Sequence, residues 1–87
     1  MNITAAAPTT TVVKSGAGVL HTITFNKPVA TAVVTIYDNT ATSGTIIGTI
    51  TIPASPMPVT LTYDAYFGTG LTLTTATAAQ DITVTYI

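Results

Sequence analysis

The chain contains no cysteine, tryptophan, arginine or glutamate, and its 87 residues include only two lysines, three aspartates and one histidine. Without cysteine, no disulfide and no thiolate metal site supports the fold, and the redox compartment stays open. Without arginine, and with lysine only at Lys14 and Lys27, there is no clustered positive surface to track phosphates, so nucleic acid is not expected as a partner. No run approaches ~18 uninterrupted apolar residues, so no helix is expected to span a bilayer. The segment Met1 to Thr10 lacks the positive region and apolar core of a secretory signal. The strands are too few and too short for an outer-membrane barrel, and the aromatic girdles are missing. No membrane role is expected.

What the chain has instead is threonine, roughly a quarter of all residues. Its branched side chain packs well on a pleated strand. The predicted solvent faces are therefore lined with hydroxyls and methyls, with few charges. A formal net charge of −1 is low for a freely soluble small domain. A chain of this length buries only about two-thirds of the surface it exposes when unfolded. Together these features suit a protein that gains stability by being assembled into something.

Alternation carries the fold class. From Ala32 onward Ala32, Val34 and Ile36 alternate with Val33, Thr35 and Tyr37, and Ile46, Ile50 and Ile52 alternate with Thr45, Thr49 and Thr51. A period of two is the signature of a half-buried strand. Asp38, Asn39, Ser43 and Gly44 supply turn chemistry between these arms, and the long connection predicts a flexible tip. The hairpin from Val29 to Ile52 is thus the expected centre of the fold, with Val34, Ile36, Ile46, Ile50 and Ile52 as its buried set.

The remainder reads the same way. Met1 to Pro8 is an aperiodic arm; its Asn2-Ile3-Thr4 sequon is a chance match in a threonine-rich chain. Thr9 to Lys14 is a strand, and Ser15 to Gly18 a turn. In the next strand Val19, His21, Ile23 and Phe25 share a face opposite Leu20, Thr22, Thr24 and Asn26. Pro53, Pro56 and Pro58 mark a loop that carries the chain from one sheet to the other. Then Val59, Leu61, Tyr63, Ala65 and Phe67 point inward. Gly68-Thr69-Gly70 is a tight connection, and Leu71 and Leu73 alternate with Thr72 and Thr74. Thr75 to Gln80 is a loop of small residues, and Ile82, Val84 and Tyr86 share one face of the last strand. About seven short antiparallel strands and no helical period predict an all-β fold, a small β-sandwich of jelly-roll-like or immunoglobulin-like form. The expected domains are an arm over residues 1–8 and one sandwich over residues 9–87.

Sites of chemistry are sparse. Asp38, Asp64 and Asp81 each have a simpler use in turns or solubility than as a catalytic pair. His21 lies among apolar residues, and no nucleophile motif surrounds the serines. Asp38-Asn39 offers too few oxygens for calcium, and Gly16-Ala17-Gly18 lacks the lysine and helix of a phosphate loop. No catalytic residue, metal or cofactor is expected. Of the aromatic rings only Tyr37 and Tyr66 are expected to face outward, which keeps sugar binding as a minor reading. Val33, Tyr37 and Ile47 are apolar where the pattern elsewhere places threonine. With Tyr66, they are the expected contact residues for a neighbour.

Four segments, taken in order, resemble small β-rich structural proteins of tailed-bacteriophage virions. They are Val13 to His21 (VKSGAGVLH), Thr35 to Thr40 (TIYDNT) with Ser43-Gly44-Thr45, Phe67 to Leu71 (FGTGL), and Asp81 to Tyr86 (DITVTY). The resemblance implies a protein that is not an enzyme. The role it favours is capsid decoration, or cement, on the outer shell, reinforcing contacts between capsomers. The implied partners are the major capsid protein and further copies of the chain, as a trimer or another symmetric cluster. The implied location is the virion surface after synthesis in the host cytoplasm. The alternative is another virion module, at the head–tail joint, in the tail or in a fibre, with adhesion to glycans in the last case.

Overall fold

The computed structural model describes residues 1–4, 9–30, 32–55, 57–76 and 80–87. Among these residues eight strands are formed: β1 (Asn2–Ile3), β2 (Thr9–Ser15), β3 (Gly18–Lys27), β4 (Val33–Asp38), β5 (Thr45–Thr51), β6 (Val59–Phe67), β7 (Gly70–Ala76) and β8 (Asp81–Tyr86). They make two four-stranded sheets, in the orders β1-β8-β3-β6 and β2-β7-β4-β5, and every paired neighbour is antiparallel.

These orders have a simple origin. β4 pairs with β5, β3 with β6, β2 with β7 and β1 with β8. The chain is therefore one long hairpin with its tip between β4 and β5. Folding that ribbon over adds the contacts β3·β8 and β4·β7. The result is a jelly roll, so of the two expected sandwich forms the strand order selects this one.

The core lies between the sheets. Leu20, Ile23, Phe25, Phe67, Ile82 and Val84 from the first sheet meet Val34, Ile36, Leu71 and Leu73 from the second, all fully buried. The proline loop after β5 crosses from the second sheet to the first, as its punctuation predicts; Pro56 lies outside the described residues.

Two bulges overturn the simple alternation. In β3, Leu20 pairs with Tyr86 and Thr22 with Thr85, so His21 is an extra residue against β8. The side-chain phase flips across such a residue. Leu20 joins Ile23 in the core, whereas Val19 and His21 are half-exposed. In β5, Ile36 pairs with Gly48 and Tyr37 with Ile46, leaving Ile47 extra. The expectation of a buried Ile46 and an outward Ile47 is reversed: Ile46 is 52% exposed and Ile47 packs against the core.

The expected arm also differs. Residues 2 and 3 pair with Thr83 and Ile82, Ile3 is buried, and the Asn2 amide donates to Asp81 Oδ1 at 2.8 Å. Small residues and a proline hid this short strand, whose pairing partners lie at the far end of the chain. Residues 5–8 of the arm and 77–79 of the last loop lie outside the described residues. Val59, expected inward, is 46% exposed at the end of its strand, and Thr72, expected outward to solvent, is fully buried.

Candidate functional site

Three of the segments that carry the virion resemblance converge at one end of the sandwich. The carboxylate of Asp38, the last paired residue of β4, accepts backbone N–H bonds from Gly68 at 3.1 Å and Thr69 at 2.9 Å, with Gly70 at 3.4 Å. These bonds, those from Thr69 and Gly68 foremost, hold its carboxyl below the ordinary value of 3.8, against a smaller upward push from desolvation. The Gly16 N–H donates to Thr69 O at 2.9 Å, and Gly16 takes φ +98°, a conformation open to glycine. The Thr72 hydroxyl donates to Asn39 O at 2.7 Å, which satisfies this buried side chain. Lys14 Nζ donates to Ile87 O at 3.0 Å.

The tip loop expected to be flexible is tied across its base. The Asn39 amide donates to Ser43 O at 2.9 Å, and its oxygen accepts the Thr40 N–H at 2.8 Å. Asp38-Asn39, Ser43-Gly44 and Phe67 to Gly70 are thus joints that lock the ribbon's turns together. Their oxygens are used in holding the fold.

His21, Asp64 and Asp81 lie on the outer face of the first sheet. His21 Nδ1 and Asp64 Oδ1 lie 3.0 Å apart, with both side chains substantially exposed. The pair sits where the ladder slips on both sides of β3, and Asp64 takes a left-handed φ of 47°. Asp81 Oδ1 accepts from Asn2 at 2.8 Å and from Asn26 at 3.2 Å. Each aspartate therefore has its own partner set, and no group of three or more His, Cys, Asp or Glu that could hold a metal ion occurs among the described residues.

Set against known proteins, the chain matches no family model, no curated protein and no solved structure. The virion resemblance therefore stands on the four segments themselves. No helix among the described residues is long and apolar enough to cross a membrane.

The four expected contact residues do not form one surface. Val33 and Tyr37 lie on the outer face of the second sheet, where Tyr37 pairs with Ile46. Ile47 turns to the core, so Ile46 takes the place assigned to it. Tyr66, 71% exposed, stands on β6 in the other sheet. Tyr37 and Tyr66 thus cannot form a single sugar platform.

Sequence reading missed a hollow at the opposite end. Pro28, Ile52, Pro53, Ser55, Met57 and Val59 line a pocket of about 310 Å³. Its lining has no ionisable side chain, and Ser55 is its one polar side chain among the described residues, so it offers mainly shape and apolar contact. The clustered prolines beside Met57 were the signal available. Nearby, the buried Gln80 side chain grips the Val29 backbone, accepting its N–H at 2.8 Å and donating to its carbonyl at 3.3 Å.

Proposed function

We propose that the chain is a structural component of a tailed-bacteriophage virion, a decoration protein on the outer capsid shell. It binds the major capsid protein there and, as a symmetric cluster with a trimer favoured, links neighbouring capsomers. The observation that carries this reading is where the four resembling segments fall. Three form the interlocked turns of a jelly roll and the fourth is its closing strand, β8. Jelly rolls recur in virus shells, although also in lectins and cupins, so the architecture supports the reading only jointly with the segments.

The surface chemistry agrees. Few charges and abundant threonine suit repeated contact within an ordered shell better than solitary existence at high concentration. Cement gains its strength from many weak symmetric contacts, so no single deep site is needed. The adhesive alternative is weakened by the placement of Tyr37 and Tyr66 on opposite sheets.

Cryo-electron microscopy of the particle encoded with this chain tests the reading. Density for the jelly roll on the outer shell, at a copy number matching symmetric positions of the major capsid protein, is the expected result. Heads lacking the chain, or its density confined to the tail, would overturn it.

A further inference from the structure

The outer face of the second sheet differs from that of the first. By register it consists of three rows: Ala76, Val33 and Thr51; then Thr10, Thr74, Thr35 and Thr49; then Val12, Thr72, Tyr37 and Ile46. No Lys, Asp or His stands in any row. Lys14 and Asp38, the charged residues of this sheet, are engaged elsewhere, at Ile87 O and at the Gly68–Gly70 amides. Val12 and Ile46 are 47% and 52% exposed; Ile46 lies beside Tyr37, and Thr72, between Tyr37 and Val12, is fully buried with its hydroxyl on Asn39 O. The Thr35, Thr49 and Thr74 hydroxyls make no hydrogen bond among the described residues, and Thr35 and Thr74 are only half-exposed.

We infer that this face packs against the same face of a second copy of the chain. A two-fold contact with a second copy brings a surface against its own equivalent, so a charge near the axis meets like charge. This face has no such charge. The opposite face carries His21, Asp64 and Asp81 and would oppose like groups. A flat sheet also fits another flat sheet, the geometry by which the chain already buries its inner faces. The free threonine hydroxyls of the middle row then bond across the contact, and Val12, Tyr37 and Ile46 pack beside them.

Strands ~4.8 Å apart and rows ~6.6 Å apart give a plane of about 15 by 15 Å between Cα atoms. That is well below the ~800 Å² per partner of a standard interface, so weak association, appearing toward the upper end of the ~1 μM to ~1 mM range, is expected. The inference needs no capsid and stands apart from the virion reading.

Sedimentation of the full chain from about 1 μM to about 1 mM tests it. The wild type should associate, and V12D/I46D should weaken association by ~10-fold or more while circular dichroism stays unchanged. T49K, at an exposed edge position of the same face, should do likewise if the double variant fails to fold. T62D, on the opposite face, should leave association intact. A monomeric wild type throughout this range, or T62D as damaging as T49K, would overturn the inference. A monomer that still binds phage heads would sink it while sparing the virion reading; association without head binding would do the reverse.

Discussion

The two outer faces of this sandwich use the same residue to opposite ends. On the first sheet, threonines bond one another across strands: Thr24 with Thr60 at 3.0 Å, and Thr22 with Thr85. Asn26 extends this network to Thr83 at 2.9 Å and to Asp81. On the second sheet, Thr35, Thr49 and Thr74 align as directly but leave their hydroxyls unused among the described residues. Cross-strand pairs are units of sheet stabilisation, so the first face uses these hydroxyls within the chain, whereas the second face does not. Threonine content alone says nothing of which role applies; the neighbouring charges and register do.

The largest expected effect concerns the bulge that sets the first face. If His21 is the extra residue, L20A should cost about 3 kcal/mol by opening a core cavity, and V19A less than about 1 kcal/mol. Equal losses in chemical denaturation, or a larger loss at Val19, would remove the bulge and with it the polar identity of that face.

The comparison itself is tested by matched pairs. T22V/T24V should lower stability by about 1–2 kcal/mol through lost cross-strand bonds. T35V/T74V should change it by less than about 0.5 kcal/mol under conditions where the chain is monomeric. A larger loss for the second pair would reverse the contrast.

Asp38 gives a smaller, pH-dependent effect that joins both sheets at one end. Its folded carboxyl titrates below the unfolded one, so its contribution is complete above the ordinary value of 3.8 and is lost as pH falls through the lowered folded value. D38N should therefore melt below wild type at pH 7, and the gap should close in strong acid. A gap that persists unchanged at low pH would show that the bonds owe nothing to the charge.

The smallest effect is expected at Thr75, which is buried with its hydroxyl unpartnered among the described residues. T75V keeps the shape and removes the orphan group, so stability should hold or rise by up to about 1 kcal/mol. A clear loss in thermal melts would indicate a partner for that hydroxyl.

Much of this fold was legible in the sequence, because alternation reports directly on which strands have a buried face. The arms around Asp38 to Gly44, the crossing at Pro53 to Pro58 and the inward run from Leu61 to Phe67 follow from it. The choice of a jelly roll over an immunoglobulin order did not, since it depends on pairings such as Asn2 with Thr83, which no local pattern encodes. The bulges at His21 and Ile47 escaped for a related reason: an extra residue reverses the phase without changing composition. Consecutive isoleucines beside Gly48 were the one available hint. A Cβ at Gly48 would fall 2.7 Å from Tyr63 Oη, so its small size reflects a close contact between the edge strands of the two sheets. Of the expected contact residues, Val33 and Tyr37 kept their place; Ile47 lost its place to that same bulge.

The single folded ribbon also sets a timetable. Its innermost pair, β4 with β5, joins neighbours in sequence, whereas its outermost pair joins residues as distant as Met1 and Val84, 83 positions apart. Loops must close before such distant contacts repay the entropy lost, and folds of this kind reach the native state in milliseconds to seconds. The expected order of closure is therefore from the tip outward, and the first sheet is incomplete until β8 has been synthesised. During that interval β3 lacks the neighbour that covers one of its edges, and a crowded population of half-made chains is most prone to pair wrongly.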